Sequence, residues 1–486
     1  MRKKAIVVGS GIAGLASAIR LANKGYEVAV FEANNYPGGK LTYVQLGNYR
    51  FDAGPSLFTM PHFVDELFQI SNKKPSDYFT YSKCDITCNY FYEDGTSLSL
   101  YSDRAELLKE VKSKLNIDTK PLEKHLKRSQ FIYDATHKAF LEQSLHITKN
   151  YFSKAIAKCI AAIPWLNLFT TMHKANEKAL NHPKLVQLFD RYATYNGSNP
   201  YQAPGILNII PHLEFEIGSF FPKKGMQSIT LSLVDLAKEL GVQFYFEQKV
   251  DEILVENKQV KGVKIGNETH FADVVVCNSD IKPAYQFLLK TEKKPIKTLQ
   301  QEPSSSALIF YWGIKQSFPQ LDLHNIFFSE DYKEEFDTLF QQKNVSSDPT
   351  VYINITSKKL PSDAPENSEN WFVMINVPSN SGQNWDEIRT TARKNILSKL
   401  SRILKTDIEA LIEEEDYLDP IRIESKTSSH AGALYGASSN DRMAAFFRHP
   451  NFSSVKGLYF AGGSVHPGGG IPLCLLSAKI VGELVD

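Results

Sequence analysis

The stretch "KKAIVVGSGIAGLASAIRLANKGYEVAVFEA" constrains this chain more than any other. A short apolar run, Ala5 to Val8, leads into Gly9, Gly11 and Gly14; an Ala- and Leu-rich segment runs to Gly25, and a second apolar run ends on Glu32. The pattern predicts a strand, a helix and a second strand, the βαβ unit of a nucleotide-binding α/β fold. Each glycine has its own task. Gly9 permits the tight turn, Gly11 leaves the backbone open to a pyrophosphate, and Gly14 lets helix and strand pack closely. Glu32 stands where a carboxylate accepts hydrogen bonds from ribose hydroxyls, and its charge argues against NADP as the tightly held ligand. The alternative is the same fold without a ligand.

The next residues separate the remaining dinucleotides. "NNYPGGKL" sets Gly38 and Gly39 in a turn directly after the acidic strand end, where they can bring backbone N–H groups to phosphate while Lys40 adds positive charge. A simple NAD domain has no use for such a turn. "YRFDAGPSLFT" then supplies Gly54, Pro55 and Ser56 on a further tight turn. This series resembles the amine oxidase and phytoene desaturase superfamily of flavoproteins, and the resemblance implies FAD as cofactor.

It also implies a Rossmann-type FAD-binding domain interleaved with a discontinuous α+β substrate domain on a mixed or antiparallel sheet. The expected division is 1–75, 225–290 and 430–486 for the FAD-binding domain, with 76–224 and 291–429 for the substrate domain. In the superfamily the strand residue matching Val250 meets the adenine through its backbone, and "FADVVVCNSD" marks a buried strand returning to the dinucleotide domain. "ITCNYFYEDGTSLSLY", "SSALIFYWGI", "PTVYINITS" and "NWFVMINVP" read as strands of the substrate domain, whereas "LPSDAPENSEN" reads as a surface loop.

Near the end, "LYFAGGSVHPGGGIPLCLLSAKIVGELVD" sets a knot of glycines before an apolar helical run, with Pro472 at the expected first helical position. A helix amino end attracts negative charge. In the family this motif, including the positions matching Gly463 and Ile471, closes the flavin site, and the helix end faces the pyrimidine side of the isoalloxazine ring.

The stretches "TYNGSNPYQAPGILNIIPHLEFEIGSFFPKKGM", "HNIFFSEDYKEEF" and "FAGGSVHPGGGIP" look like bacterial carotenoid desaturases over nearly the whole chain. "HPGGGIPLCLLSAKI" with "SSHAGALYG" looks most like those acting on hydroxylated carotenoid ends, the 1-hydroxycarotenoid 3,4-desaturases. The resemblance implies an apolar carotenoid substrate and hydride transfer to flavin, with no fixed catalytic set; Glu216 and His466 are candidate proton acceptors. Phytoene desaturation, flavin-dependent carotenoid isomerisation, amine oxidation and a flavin-free carrier like the Rab GDP-dissociation inhibitors are the rival readings.

Net charge is +1 over 486 residues, so no nucleic acid or other polyanion is expected as a partner. Five scattered cysteines, with one CxxxC at Cys84 and Cys88 and no second pair, predict a reducing compartment and no metal site. The opening apolar run is too short for a secretory signal, and no run of about 18 apolar residues predicts a spanning helix. "NYFSKAIAKCIAAIPWLNLF" puts Phe152, Ile156, Cys159, Ile160 and Ile163 on one helical face, with Lys154 and Lys158 off it and Trp165 beyond Pro164. That face predicts either peripheral contact with a membrane from the cytoplasmic side or inward packing. Nothing in the sequence sets the oligomeric state.

Overall fold

Five short runs rich in valine, isoleucine and phenylalanine form a parallel sheet, because a strand covered on both faces can be apolar throughout. In the computed structural model, which describes residues 2–441 and 443–486, these strands are Lys4–Val8, Glu27–Phe31, Gln243–Tyr245, Val274–Cys277 and Leu458–Phe460. Their spatial order, starting from Leu458–Phe460, continues through Val274–Cys277, Lys4–Val8 and Glu27–Phe31 to Gln243–Tyr245, and every pairing is parallel. Alternate side chains divide between two layers. Ala5, Val7, Val28, Val30, Val274 and Val276 share a core with the helices Ile12–Asn23, Gln227–Glu239 and Ile471–Leu484. Ile6, Val8, Phe31, Val275 and Cys277 pack instead with Ile253, Val260 and Val263, from the antiparallel sheet of Glu252–Glu256, Gln259–Ile265 and Glu268–Phe271.

A second sheet of seven strands covers the first unit. It runs in the order Ile412–Leu418, Ser306–Ile314, Glu369–Val377, Val351–Ile355, His324–Phe327, Ile86–Phe91 and Ser97–Tyr101. All pairings are antiparallel except that between His324–Phe327 and Ile86–Phe91, so the sheet is mixed. The four stretches expected as substrate-domain strands all form strands here. Leu308, Phe310, Trp312, Trp371, Val373 and Ile375 face the helix Trp385–Leu404. Their neighbours Ile309, Tyr311, Phe372 and Met374 turn the other way, onto Tyr49 and Phe51 from the hairpin Tyr43–Leu46 and Tyr49–Asp52 and onto Ala53 just after it. One face of the sheet is thereby aimed at the turn carrying Gly54, Pro55 and Ser56.

Two local expectations need correction. "LPSDAPENSEN" is only partly a surface loop: Asp363 is buried, accepts from Thr356 Oγ1 at 2.5 Å and pairs with Arg50, and the last two residues already belong to a strand. In the 150–169 stretch the helix is limited to Lys154–Ala162, because Ser153 caps its start and Pro164 follows its end. The inward stripe is Ile156, Cys159 and Ala162. Phe152 lies outside the helix and Ile160 is a helical step of about 100° past Cys159, so both point outward. Among the described residues, no helix is long and apolar enough to cross a membrane.

Candidate functional site

The first turn is held by strict steric needs. Gly9 sits at φ +94° and donates its N–H to the Phe31 carbonyl at 2.8 Å. A Cβ on Gly14 would stand 2.2 Å from the Gly9 carbonyl oxygen, so the close approach inferred from the sequence is obligatory. Glu32 is buried at the end of the second strand, and its carboxylate organises the loops around it. One oxygen accepts from Ser10 N (2.8 Å) and Ser10 Oγ (2.7 Å), the other from Asn34 N (2.9 Å) and Asn34 Nδ2 (3.1 Å). Val250 lies between Gln243–Tyr245 and Glu252–Glu256, outside the strands, and joins the core that includes Phe31. The preceding residue pair ties it to the same corner, since Gln248 N donates to the Glu32 carbonyl at 2.8 Å.

The second and third turns close on the first. Gly11 and Gly38 form an isolated parallel bridge, and Gly38 N donates to the Ser10 carbonyl at 2.9 Å. Gly39 follows, its would-be Cβ meeting only the Cα of Gly11, at 3.6 Å. Lys40 turns away from this turn: Nζ donates to the carbonyls of Ala433 (3.2 Å) and Leu434 (3.0 Å), and burial pulls its pKa down. Gly54 is pressed against Lys40, whose carbonyl oxygen would be 1.7 Å from any Cβ there. Pro55 is partly buried beside it, and Ser56 Oγ shares a hydrogen bond of 2.7 Å with Tyr352 Oη. Tyr352 continues to His324 Nδ1 at 2.7 Å, so a polar chain runs from this turn into the seven-stranded sheet. Burial pushes His324 down to about 4, which keeps the imidazole neutral near pH 7.

The glycine knot before the last helix folds over this corner. Gly463 packs on Gly469, 3.2 Å separating its would-be Cβ from the Gly469 Cα. The helix begins at Ile471, with Pro472 second and not first; its cap is Gly470 at φ +103°, with no side-chain cap and no acidic residue in the first turn. Among the described residues, nothing lies within 4 Å of where a Gly470 Cβ would be. The first helix has the same character, since Gly11 caps it without a side-chain bond. Two helices therefore present uncapped N–H groups at the carboxyl ends of parallel strands, where doubly wound sheets receive phosphate and other anions.

Of the two candidate proton acceptors, Glu216 is ion-paired with Arg104 and partly exposed. His466 is buried beside Arg448, its Nε2 bonded to the Gln143 carbonyl at 2.9 Å, and burial lowers it to about 4. Three residues escaped the sequence reading. Asn278 joins first turn to last: Nδ2 donates to the Ala461 carbonyl at 2.7 Å, and Oδ1 lies 2.7 Å from a would-be Gly11 Cβ. Its position directly after four buried strand residues was a usable signal. Tyr352 could be read only as a strand residue. Arg448, buried and bonded to carbonyls of residues 435, 437 and 463, had no sequence signal at all.

Glycine turns from residues 9–14, 38–39, 54 and 463–470 thus line one corner, with room at Gly39 and Gly470 for a ligand and helix ends suited to its phosphates. This fold and site define a dinucleotide-binding protein. Comparison narrows the class. Residues 12–485 match the flavin-containing amine oxidoreductases. The chain is 54% identical over 484 residues, 99% of both chains, to 1-hydroxycarotenoid 3,4-desaturase of Flavobacterium sp. (strain P99-3). It is 32% identical to 4,4'-diapolycopene oxygenase of Methylomonas sp., over 99% of this chain and 98% of that one. Cyclohexylamine oxidase from Brevibacterium oxydans has a similar fold, with a TM-score of 0.64 at 15% identity over 100% of this chain and 98% of that one. The protein belongs to the flavin-containing amine oxidoreductase family, and its cofactor is FAD.

Proposed function

We propose that this enzyme inserts a carbon–carbon double bond into a 1-hydroxylated carotenoid at the 3,4 position, as an FAD-dependent desaturase of carotenoid biosynthesis. The observation that carries this reading is the 54% identity, sustained end to end, to a desaturase of that name. When bound, FAD supplies the acceptor for a hydride from an allylic C–H. The chain's own residues bind and orient. Gly9, Gly11, Gly14, Glu32 and Val250 would hold the adenosine and pyrophosphate half; Gly39, Gly54, Pro55, Ser56, Gly463 and Ile471 would hold the flavin half, with Lys40 tying residues 433 and 434 to that corner. Ile309, Phe372 and Met374 pack on Tyr49, Phe51 and Ala53 just before the 54–56 turn, and fixing one C–C bond of a flexible polyene beside that turn would contribute through positioning. The divided layout expected from the sequence belongs to this reading, and it is supported by the origin of all five parallel strands in the segments 1–75, 225–290 and 430–486.

Such a substrate is dissolved in lipid, and we extend the reading to peripheral membrane contact from the cytoplasmic side. Phe152 is 89% exposed, Phe169 79%, Ile160 60% and Trp165 55%, a cluster that water alone does not favour. Lys154 and Lys158 stand on the same short helix and suit anionic headgroups.

The test is anaerobic incubation of FAD-loaded protein with 1-hydroxylated, lycopene-type and phytoene substrates, each product analysed by mass and absorption. The expected result is loss of two hydrogens from the 1-hydroxylated substrate, with a longer polyene. Reaction with phytoene alone would overturn the assignment. The oxygenase among the relatives gives a second reading, which gain of oxygen in a parallel aerobic incubation would select.

A further inference from the structure

We propose that Arg448 is a positioning residue whose positive charge biases the bound flavin toward its anionic, two-electron-reduced state; this rests on the cofactor and on the closing-loop reading above. Arg448 is 4% exposed. Its Nη2 donates to the Ala437 carbonyl at 2.9 Å, and its Nη1 to the carbonyls of Tyr435 (3.3 Å) and Gly463 (3.4 Å). Every one of these acceptors is neutral, and among the described residues no carboxylate forms an ion pair with it. A buried charge without a counter-charge is costly, and carbonyl dipoles offset only part of that cost.

The same segment serves a second cation. Ala433 and Leu434 give their carbonyls to Lys40, so the five residues 433–437 divide four carbonyls between Lys40 and Arg448. Arg448 borders the glycine knot. The Cζ of Arg448 is 3.3 Å from a would-be Gly468 Cβ, and Gly463, whose carbonyl it holds, packs on Gly469. Two residues past Gly468, Gly470 opens the uncapped helix end. Asp280 acts on Lys40 through its charge, partly offsetting burial, while its carboxylate also accepts from the backbone N–H groups of Lys282 and His430. Arg448, with no carboxylate paired to it among the described residues, and a helix amino end therefore meet at one loop.

A site of that kind favours the ligand state carrying more negative charge. In desaturation the substrate C–H bond breaks as hydride, which converts FAD to FADH⁻, and the neighbouring carbon releases a proton as the double bond forms. The flavin gains one negative charge, and Arg448 would stabilise it through the loop without touching the reacting atoms.

The experiment is an anaerobic reductive titration of full-length, FAD-loaded wild type, R448K and R448Q against reference dyes, with flavin content measured in each. R448Q is expected to lose about tenfold in the relative stability of reduced flavin, a midpoint potential about 30 mV lower for a two-electron couple. R448K should stay within about threefold of wild type. An unchanged potential in flavin-loaded R448Q, or equal shifts in R448K and R448Q, would overturn the proposal. Wild type reconstituted with 8-mercapto-FAD supplies a readout that needs no variant: quinoid absorption supports positive charge at the ring, and an ordinary thiolate spectrum overturns it. Wild-type protein that takes up no FAD would sink the cofactor reading as well, a failure distinct from an unchanged potential.

Discussion

The strands Val274–Cys277 and Ser306–Ile314 are both buried throughout, yet they serve opposite kinds of chemistry. The first belongs to the parallel sheet, whose useful groups are backbone N–H groups and glycine gaps at its carboxyl edge. The second belongs to the seven-stranded sheet, whose useful groups are side chains on one face: Ile309, Tyr311 and, two strands along, Tyr352. A backbone site tolerates almost no added atom and a side-chain face tolerates exchange of similar shapes, so substitutions in the two regions should fail differently.

The sharpest break is Gly14→Val. A Cβ 2.2 Å from a carbonyl oxygen cannot be relieved by rotating a side chain, so FAD affinity should drop by a hundredfold or more, roughly 3 kcal/mol, and the purified protein should be colourless. A yellow, stoichiometrically loaded variant would show that the turn has slack. In the other sheet, Trp371→Ala removes a ring with no solvent exposure and should cost about 3–5 kcal/mol. Thermal unfolding would register that loss while the folded fraction still binds FAD, which separates stability from cofactor binding.

Acid probes both regions together. His125 and His324 in the covering layer, and His449 and His466 near the glycine knot, are each held at about 4 by burial, below the ordinary 6.5. A folded-state pKa below the unfolded value means stability is complete above pH 6.5 and declines as pH falls toward 4. The loss is on the order of 1 kcal/mol per pH unit for each histidine. Urea unfolding at pH 7 and pH 5 would measure the slope, and His324→Asn should reduce it by about one proton. Tyr352→Phe should cost only about 0.5–1.5 kcal/mol while lowering turnover, with flavin content unchanged, because it cuts the link between Ser56 and His324. Replacing Phe152 and Trp165 with serine should shift stability by about 0.5 kcal/mol or less, and the readout is reduced co-sedimentation with anionic vesicles.

Legibility followed the same divide. Gly9, Gly14 and Gly54 could be assigned from the chain alone, because each answers to neighbours within a short, recurring turn or strand–helix unit. The four substrate-sheet stretches, which hold five of its seven strands, were readable as strands from their β-branched and aromatic content. Their order, and which face meets the 54–56 turn, was not: alternation says that two faces exist and leaves open which one is covered by what. The apolar stripe at 152–163 failed for a related reason. Ser153 starts the helix after Phe152, leaving that residue outside it, and Ile160 lies a helical step of about 100° past the inward Cys159.

By itself the sequence determined the nucleotide-binding unit, the acidic end of its second strand and the glycine-capped final helix, since these depend on steric clearance and peptide dipoles acting over a few residues. Only the tertiary structure decided that Lys40 would reach residues 433 and 434, that Asn278 would join residue 11 to residue 461, and that Arg448 would be buried among carbonyls. Lys40 and Asn278 bridge positions roughly two to four hundred residues apart, and Arg448, whose acceptors lie within about fifteen residues, is sealed in only when the glycine knot folds over it. No local preference encodes such meetings; the crossing of the chain through two sheets does.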